Sequence, residues 1–156
     1  MPKIVVFTDD LAYPVRKALV EIDRACAGIE WLVVGPKTEA PPPPSDDDSP
    51  GAEYQLARIL ARPNVRLVEV IAIGGANAAA AVVAFHPDLG VAFGAQEPPQ
   101  ALVTCPRLGT IALHRGKLPA YRGADPVFWQ LWNDEPTIGC SVQLVTAEVG
   151  AGDILA

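Results

Sequence analysis

The strongest constraint on how this chain can fold is the alternation at its start. KIVVF (3–7) is an apolar run of buried-strand length, closed by Thr8, Asp9 and Asp10. YPVRKALVEIDRA (13–25) follows, with Pro14 suited to a first helical turn and Val15, Ala18, Leu19 and Ile22 on one face. IEWLVVG (29–35) is a second apolar run. Strand, amphipathic helix and strand predict a β-α-β unit, in which the two strands lie parallel. Strands apolar throughout need cover on both faces. The expected class is therefore α/β: a Rossmann-like open, mostly parallel sheet with helices on both faces.

The rest of the chain continues this alternation. Residues 52–63 read as helix, 65–70 as strand, 77–86 as helix ended by Pro87, and 88–95 as strand. Residues 97–106 read as a short helix or turn, GTIALH (109–114) as strand, and DPVFWQLWND (125–134) as helix. In that helix Asp125 sits at the N-cap position with Pro126 first inside. Trp129 and Trp132, three apart, are expected in the core. Residues 138–150 read as a strand and a loop. The Pro- and Asp-rich segment 36–51 reads as a surface loop, since four prolines favour an extended backbone and the aspartates repel one another. It is too short for a domain boundary, so 1–156 is expected to form one domain. IGGANAAAA (73–81) lacks both common nucleotide-binding glycine patterns and reads as a tight strand-to-helix turn.

Composition narrows the class of function. The net charge of −6 argues against nucleic-acid binding, which needs a basic patch to displace counterions. No apolar run is long enough to span a membrane, and the first residues lack the apolar length of a signal peptide, so a cytoplasmic location is expected. Cys26, Cys105 and Cys140 have no metal-binding spacing and read as buried reduced thiols.

Of the two histidines, His86 ends a helix before Pro87 and reads as structural. His114 ends an apolar strand. In an open parallel sheet, ligands bind at the carboxyl ends of the strands. A histidine there can serve as acid, base or electrostatic stabiliser, and Arg115, Lys117 and Arg122 add positive charge. Gly116 and Gly123 let the backbone approach a ligand, and Pro119 stiffens the loop. The competing reading is a strand-end histidine bonded to a loop carbonyl.

Around His114 the residues carry a resemblance. LGTIALHRGKLPAYRGADPVFWQLW, followed by GCSVQLVTAEVGAGDIL, resembles the formyltransferases that use 10-formyltetrahydrofolate. Their motif is Asn-x-His, three residues, Leu-Pro, and a Gly four residues after the Pro; His114, Leu118, Pro119 and Gly123 have that spacing. PDLGVAFGAQ (87–96) is similar to the family's folate-facing strand and loop, and HRGKLPAYRG looks closest to the sugar-amine branch. The resemblance implies a formyltransferase-like fold in compact, shortened form, since family domains usually continue past the closing GDI. It implies 10-formyltetrahydrofolate as formyl donor and a primary amine as acceptor, perhaps an amino sugar on a nucleotide. It also implies His114 as the oxyanion-stabilising residue, with Ala95, Gln96, Glu97, Glu148, Val149 and Gly150 lining the folate.

The pattern is incomplete. The family Asn falls on Ala112, and the family Asp, in its Asp-x-Gly, falls on Gly150. Losing one oxyanion donor typically costs roughly 100–1000-fold in rate. Two readings follow: a formyltransferase, strongly impaired by these losses, or a catalytically inactive relative serving as a ligand-binding or protein-interaction module. A third and weaker reading is a structural subunit serving assembly. An unpaired sheet edge or uncovered helix face would favour a homodimer.

Overall fold

The apolar runs become the strands of one sheet: β1 (Lys3–Thr8), β2 (Glu30–Gly35), β3 (Val65–Glu69), β4 (Leu89–Phe93), β5 (Thr110–His114) and β6 (Ser141–Leu144). The computed structural model describes residues 1–9, 13–26, 28–36, 59–93, 98–146 and 152–156. Four helices are assigned among them: α1 (Tyr13–Ala25), α2 (Ala76–Phe85), the single turn α3 (Gln100–Val103) and α4 (Pro126–Trp132). Most of the segment 36–51 lies outside the described residues.

The strands lie in the order β3-β2-β1-β4-β5-β6. The first five run parallel, and β6 pairs antiparallel with β5. The order reverses between β1 and β4, so the crevice at their carboxyl ends is the expected ligand site. β5 lies between β4 and β6, and His114 ends it at the same carboxyl end of the sheet as Thr8 and Phe93.

Each face of the sheet has its own apolar cluster. On one, Ile4, Val6, Trp31, Val33, Val91 and Phe93 pack with Val15, Leu19 and Val20 of α1. On the other, Val5, Phe7, Leu32, Val34 and Ala92 pack with Ala78, Val82 and Phe85 of α2 and Leu102 of α3. Cover on both faces explains why β1 and β2 are apolar at nearly every position rather than alternating.

Two local expectations are corrected. Trp129 and Trp132 are not core: they are 48% and 70% exposed, together with Phe128 and Leu131. The inward side of α4 carries Gln130, and the large rings fall elsewhere around its two turns. Cys26 and Cys140 are exposed free thiols, because each lies in a connection outside the regular elements. Asp125 holds the N-cap position of α4 in a left-handed conformation without capping through its side chain. His86 is the left-handed C-cap of α2, and the cation at that helix end is Lys3, whose Nζ donates to the Phe85 carbonyl.

Candidate functional site

His114 is half-buried at the end of β5, where the chain leaves the sheet. Its Nε2 lies 2.6 Å from the Tyr121 carbonyl oxygen. A carbonyl can only accept, so in the neutral ring Nε2 carries the proton and Nδ1 is the basic nitrogen left for a ligand. The strand-end reading and the chemical reading of this histidine are thus compatible. The loop carbonyl sets the tautomer and the ring plane, as an orienting partner does for a catalytic imidazole.

The loop that supplies this carbonyl is held from several directions. Leu118–Pro119 is a cis peptide, and the Leu118 N–H donates to Ser141 Oγ at 3.1 Å. Ser141 is the β6 partner of His114, so the same pair of strands positions the ring and the loop in front of it. Gly116 passes where no side chain fits. A Cβ there would lie 2.7 Å from Pro126 Cβ, 2.8 Å from the Tyr121 oxygen and 2.9 Å from His114 Nε2.

Gln130 ties these segments together from inside α4. It is fully buried. Its Nε2 donates to the carbonyls of Arg115 at 3.2 Å and Pro126 at 3.1 Å, and its Oε1 accepts the Gly139 N–H at 2.9 Å. On the outer side, Glu135 accepts from Lys117 Nζ and from the Tyr121 hydroxyl, each at 2.8 Å. These hydrogen bonds, Lys117 first and Tyr121 second, hold the Glu135 carboxyl below the usual glutamate range. Lys117 is therefore committed to an ion pair. Gln130, Glu135 and Ser141 were not singled out from the sequence. The one signal was a glutamine in the middle of VFWQLW, a polar residue where the neighbours are apolar.

Ala112, two residues before His114, lies on the same face of the sheet. It has only a methyl group and packs against the α2-side cluster. Its antiparallel partner is Gln143, which is 6% exposed and whose Oε1 is buried without a hydrogen-bond partner. Ala95, Gln96, Glu97, Glu148, Val149 and Gly150 all lie outside the described residues. Of the predicted site, His114 and the Leu118–Gly123 loop are brought together.

Residues 74–156 match the family described as formyl transferase. The chain belongs to that family. The match covers more than half of the chain and includes β4, β5, the His114 loop and β6. A methionyl-tRNA formyltransferase from Pelotomaculum thermopropionicum is 32% identical over 150 residues, covering 95% of this chain and 45% of that protein. One from Chlorobium chlorochromatii is 29% identical over 152 residues, covering 97% of this chain and 47% of that protein. This formyl transferase chain thus spans less than half the length of these curated relatives. The fold matches glycinamide ribonucleotide transformylase 1 from Symbiobacterium toebii with a TM-score of 0.67 at 20% identity, covering 100% of this chain and 71% of that one. It also matches a formyltetrahydrofolate deformylase from Pseudomonas syringae with a TM-score of 0.67 at 17% identity, covering 99% of this chain and 49% of that one. These likenesses fix the six-stranded, mostly parallel architecture of this formyl transferase domain.

Proposed function

We propose that this chain transfers a formyl group from 10-formyltetrahydrofolate to a primary amine. The observation that carries the reading is His114, oriented through Nε2 by the Tyr121 carbonyl at the carboxyl end of an interior strand. The donor supplies a formyl carbon attached to nitrogen, open to attack by an amine. The buried polar atoms at β5 and β6 suit a small carbonyl group, and His114 Nδ1 is a proton acceptor for the attacking amine. As an imidazolium, the same nitrogen donates to the oxygen on which negative charge develops. The folate is assigned to the loops containing Ala95, Gln96 and Glu97 and Glu148, Val149 and Gly150, by resemblance.

The acceptor is a small amine, an amino sugar on a nucleotide being the class favoured by HRGKLPAYRG. The net charge of −6 speaks against a large polyanionic acceptor. For a homodimer, the exposed aromatic face of α4 is the candidate surface.

A second reading, an inactive relative that binds ligand or partner, is favoured by Ala112 and Gly150, which stand where the family has its Asn and Asp. Calorimetric titration with 5-formyltetrahydrofolate, followed by transfer assays on amino-sugar nucleotides, separates the two. The transferase reading expects micromolar binding and a measurable rate that falls at least about 100-fold in His114→Ala. Binding without transfer supports the inactive relative, and no binding at millimolar ligand overturns both folate readings.

A further inference from the structure

We infer that Gln143 is the second polar group of the reactive centre, its carboxamide donating to the formyl oxygen beside His114. The inference rests on the formyl-transfer reading above and deepens it.

The strand register carries the argument. β5 and β6 pair antiparallel, with His114 opposite Ser141 and Ala112 opposite Gln143. Directly opposed residues point to the same face of a sheet, so His114, Ala112, Ser141 and Gln143 share one side. On its other side β6 meets the closing segment, where Gln143 is opposite Ile154. Gln143 is therefore flanked by a methyl group and a sec-butyl group, neither of which can hydrogen-bond. The Ser141 hydroxyl, two residues along, is occupied by the Leu118 N–H.

The result is a carboxamide with one oxygen buried and unpartnered among the described residues. Buried amides are almost always satisfied, so this exception calls for an explanation, and a partner arriving from outside the chain supplies one. A carboxamide offers either end, since rotation about its last bond exchanges the oxygen and the NH2. Turned to present NH2, Gln143 is a neutral, preorganised donor where charge develops. Beside it on the same face, Ala112 presents only a methyl group.

The chemistry balances without further reagents. The bond from the acceptor nitrogen to the formyl carbon forms, and the bond from that carbon to the folate nitrogen breaks. One proton passes from the incoming nitrogen to the departing one. Gln143 neither gains nor loses a proton; it holds the oxygen.

The test compares binding of 10-formyl-5,8-dideazafolate with that of the same molecule lacking the formyl group. The expectation is that the wild-type chain prefers the formylated ligand by about three- to tenfold, as expected for one hydrogen bond between neutral groups. Gln143→Met, of similar volume, should lose that preference while binding the unformylated ligand unchanged. Adding Ala112→Asn to Gln143→Met should restore part of it, which a merely structural role for Gln143 would not allow. In the wild-type chain, the Gln143 side-chain amide resonances should shift with the formylated ligand only, a readout independent of whether the variant folds. An unchanged preference in Gln143→Met, or an amide that does not respond, overturns the role of Gln143 and leaves the formyl-transfer reading standing. A wild-type chain that binds neither ligand overturns that reading, and this inference with it.

Discussion

The two halves of the sheet are held together by different physics. In β1 and β2, Val5, Val6, Phe7, Leu32 and Val34 are completely buried, and their fit is one of apolar surface. In β5, every residue after Thr110 is only partly buried, and α4 turns most of its large side chains to solvent. There the fit is made by directional bonds: Gln130 to three segments, Ser141 to the Leu118 N–H, Glu135 to Lys117 and Tyr121. Apolar burial is strong but indifferent to small rotations, whereas hydrogen bonds are individually modest but fix directions. The half that holds the His114 ring in place uses the second kind.

This contrast can be broken by mutation. Phe7→Ala should cost about 3–5 kcal/mol, as for an aromatic removed from a packed core. Chemical denaturation would read this, and the His114 ring resonances of the molecules that remain folded should be unchanged. Gln130→Leu should cost less, about 1–3 kcal/mol, because it strands the Gly139 N–H and the Arg115 carbonyl without removing core volume. Yet it should shift the His114 ring resonances, as the loop bearing the Tyr121 carbonyl loses its tie. If Phe7→Ala moved those resonances and Gln130→Leu did not, the division between the halves would be wrong.

The smallest effect should come from Glu135→Gln, and it depends on pH. Because the Glu135 carboxyl is held below its usual value of 4.5, the unfolded chain takes up the proton first as pH falls. Its contribution is complete above that value and is lost below it. Melting temperatures of wild type and Glu135→Gln should therefore differ slightly at neutral pH and converge in acid. Parallel curves throughout would show that the ion pair with Lys117 adds nothing to stability.

The sequence was most legible where one residue type repeats with a period. The bounds of α1 follow from Pro14 and the spacing of its apolar face, and those of β1 and β2 from unbroken apolar runs ended by polar or glycine residues. The place of His114 at a strand end was also legible; its chemical role came only from the motif resemblance, since a strand-end histidine bonded to a loop carbonyl is an ordinary alternative. What holds the ring was not legible. Tyr121, Glu135, Gln130 and Ser141 lie 7 to 27 residues further along the chain and meet only through the turn of the loop and the pairing of β6. No local pattern encodes such meetings. Trp129 and Trp132 mislead for a related reason: apolar spacing says which residues share a side of a helix, but not which side the rest of the protein covers.

The closing segment of the chain also bears on association. Leu144 N–H donates to the Asp153 carbonyl and Leu155 N–H to that of Val142, so residues 153–156 run along the outer edge of β6. Gly152 makes the return, at a point where a Cβ would collide with the Leu144 carbonyl oxygen. That edge is already occupied by the chain's own backbone. At the opposite margin, among the described residues, β3 has no such cover, but Arg66 and Glu69 are exposed along it. Charge on an edge strand discourages a foreign strand from pairing there. The sheet is thus guarded against runaway strand addition in two ways: by a covering segment along β6, and by charge at the far margin.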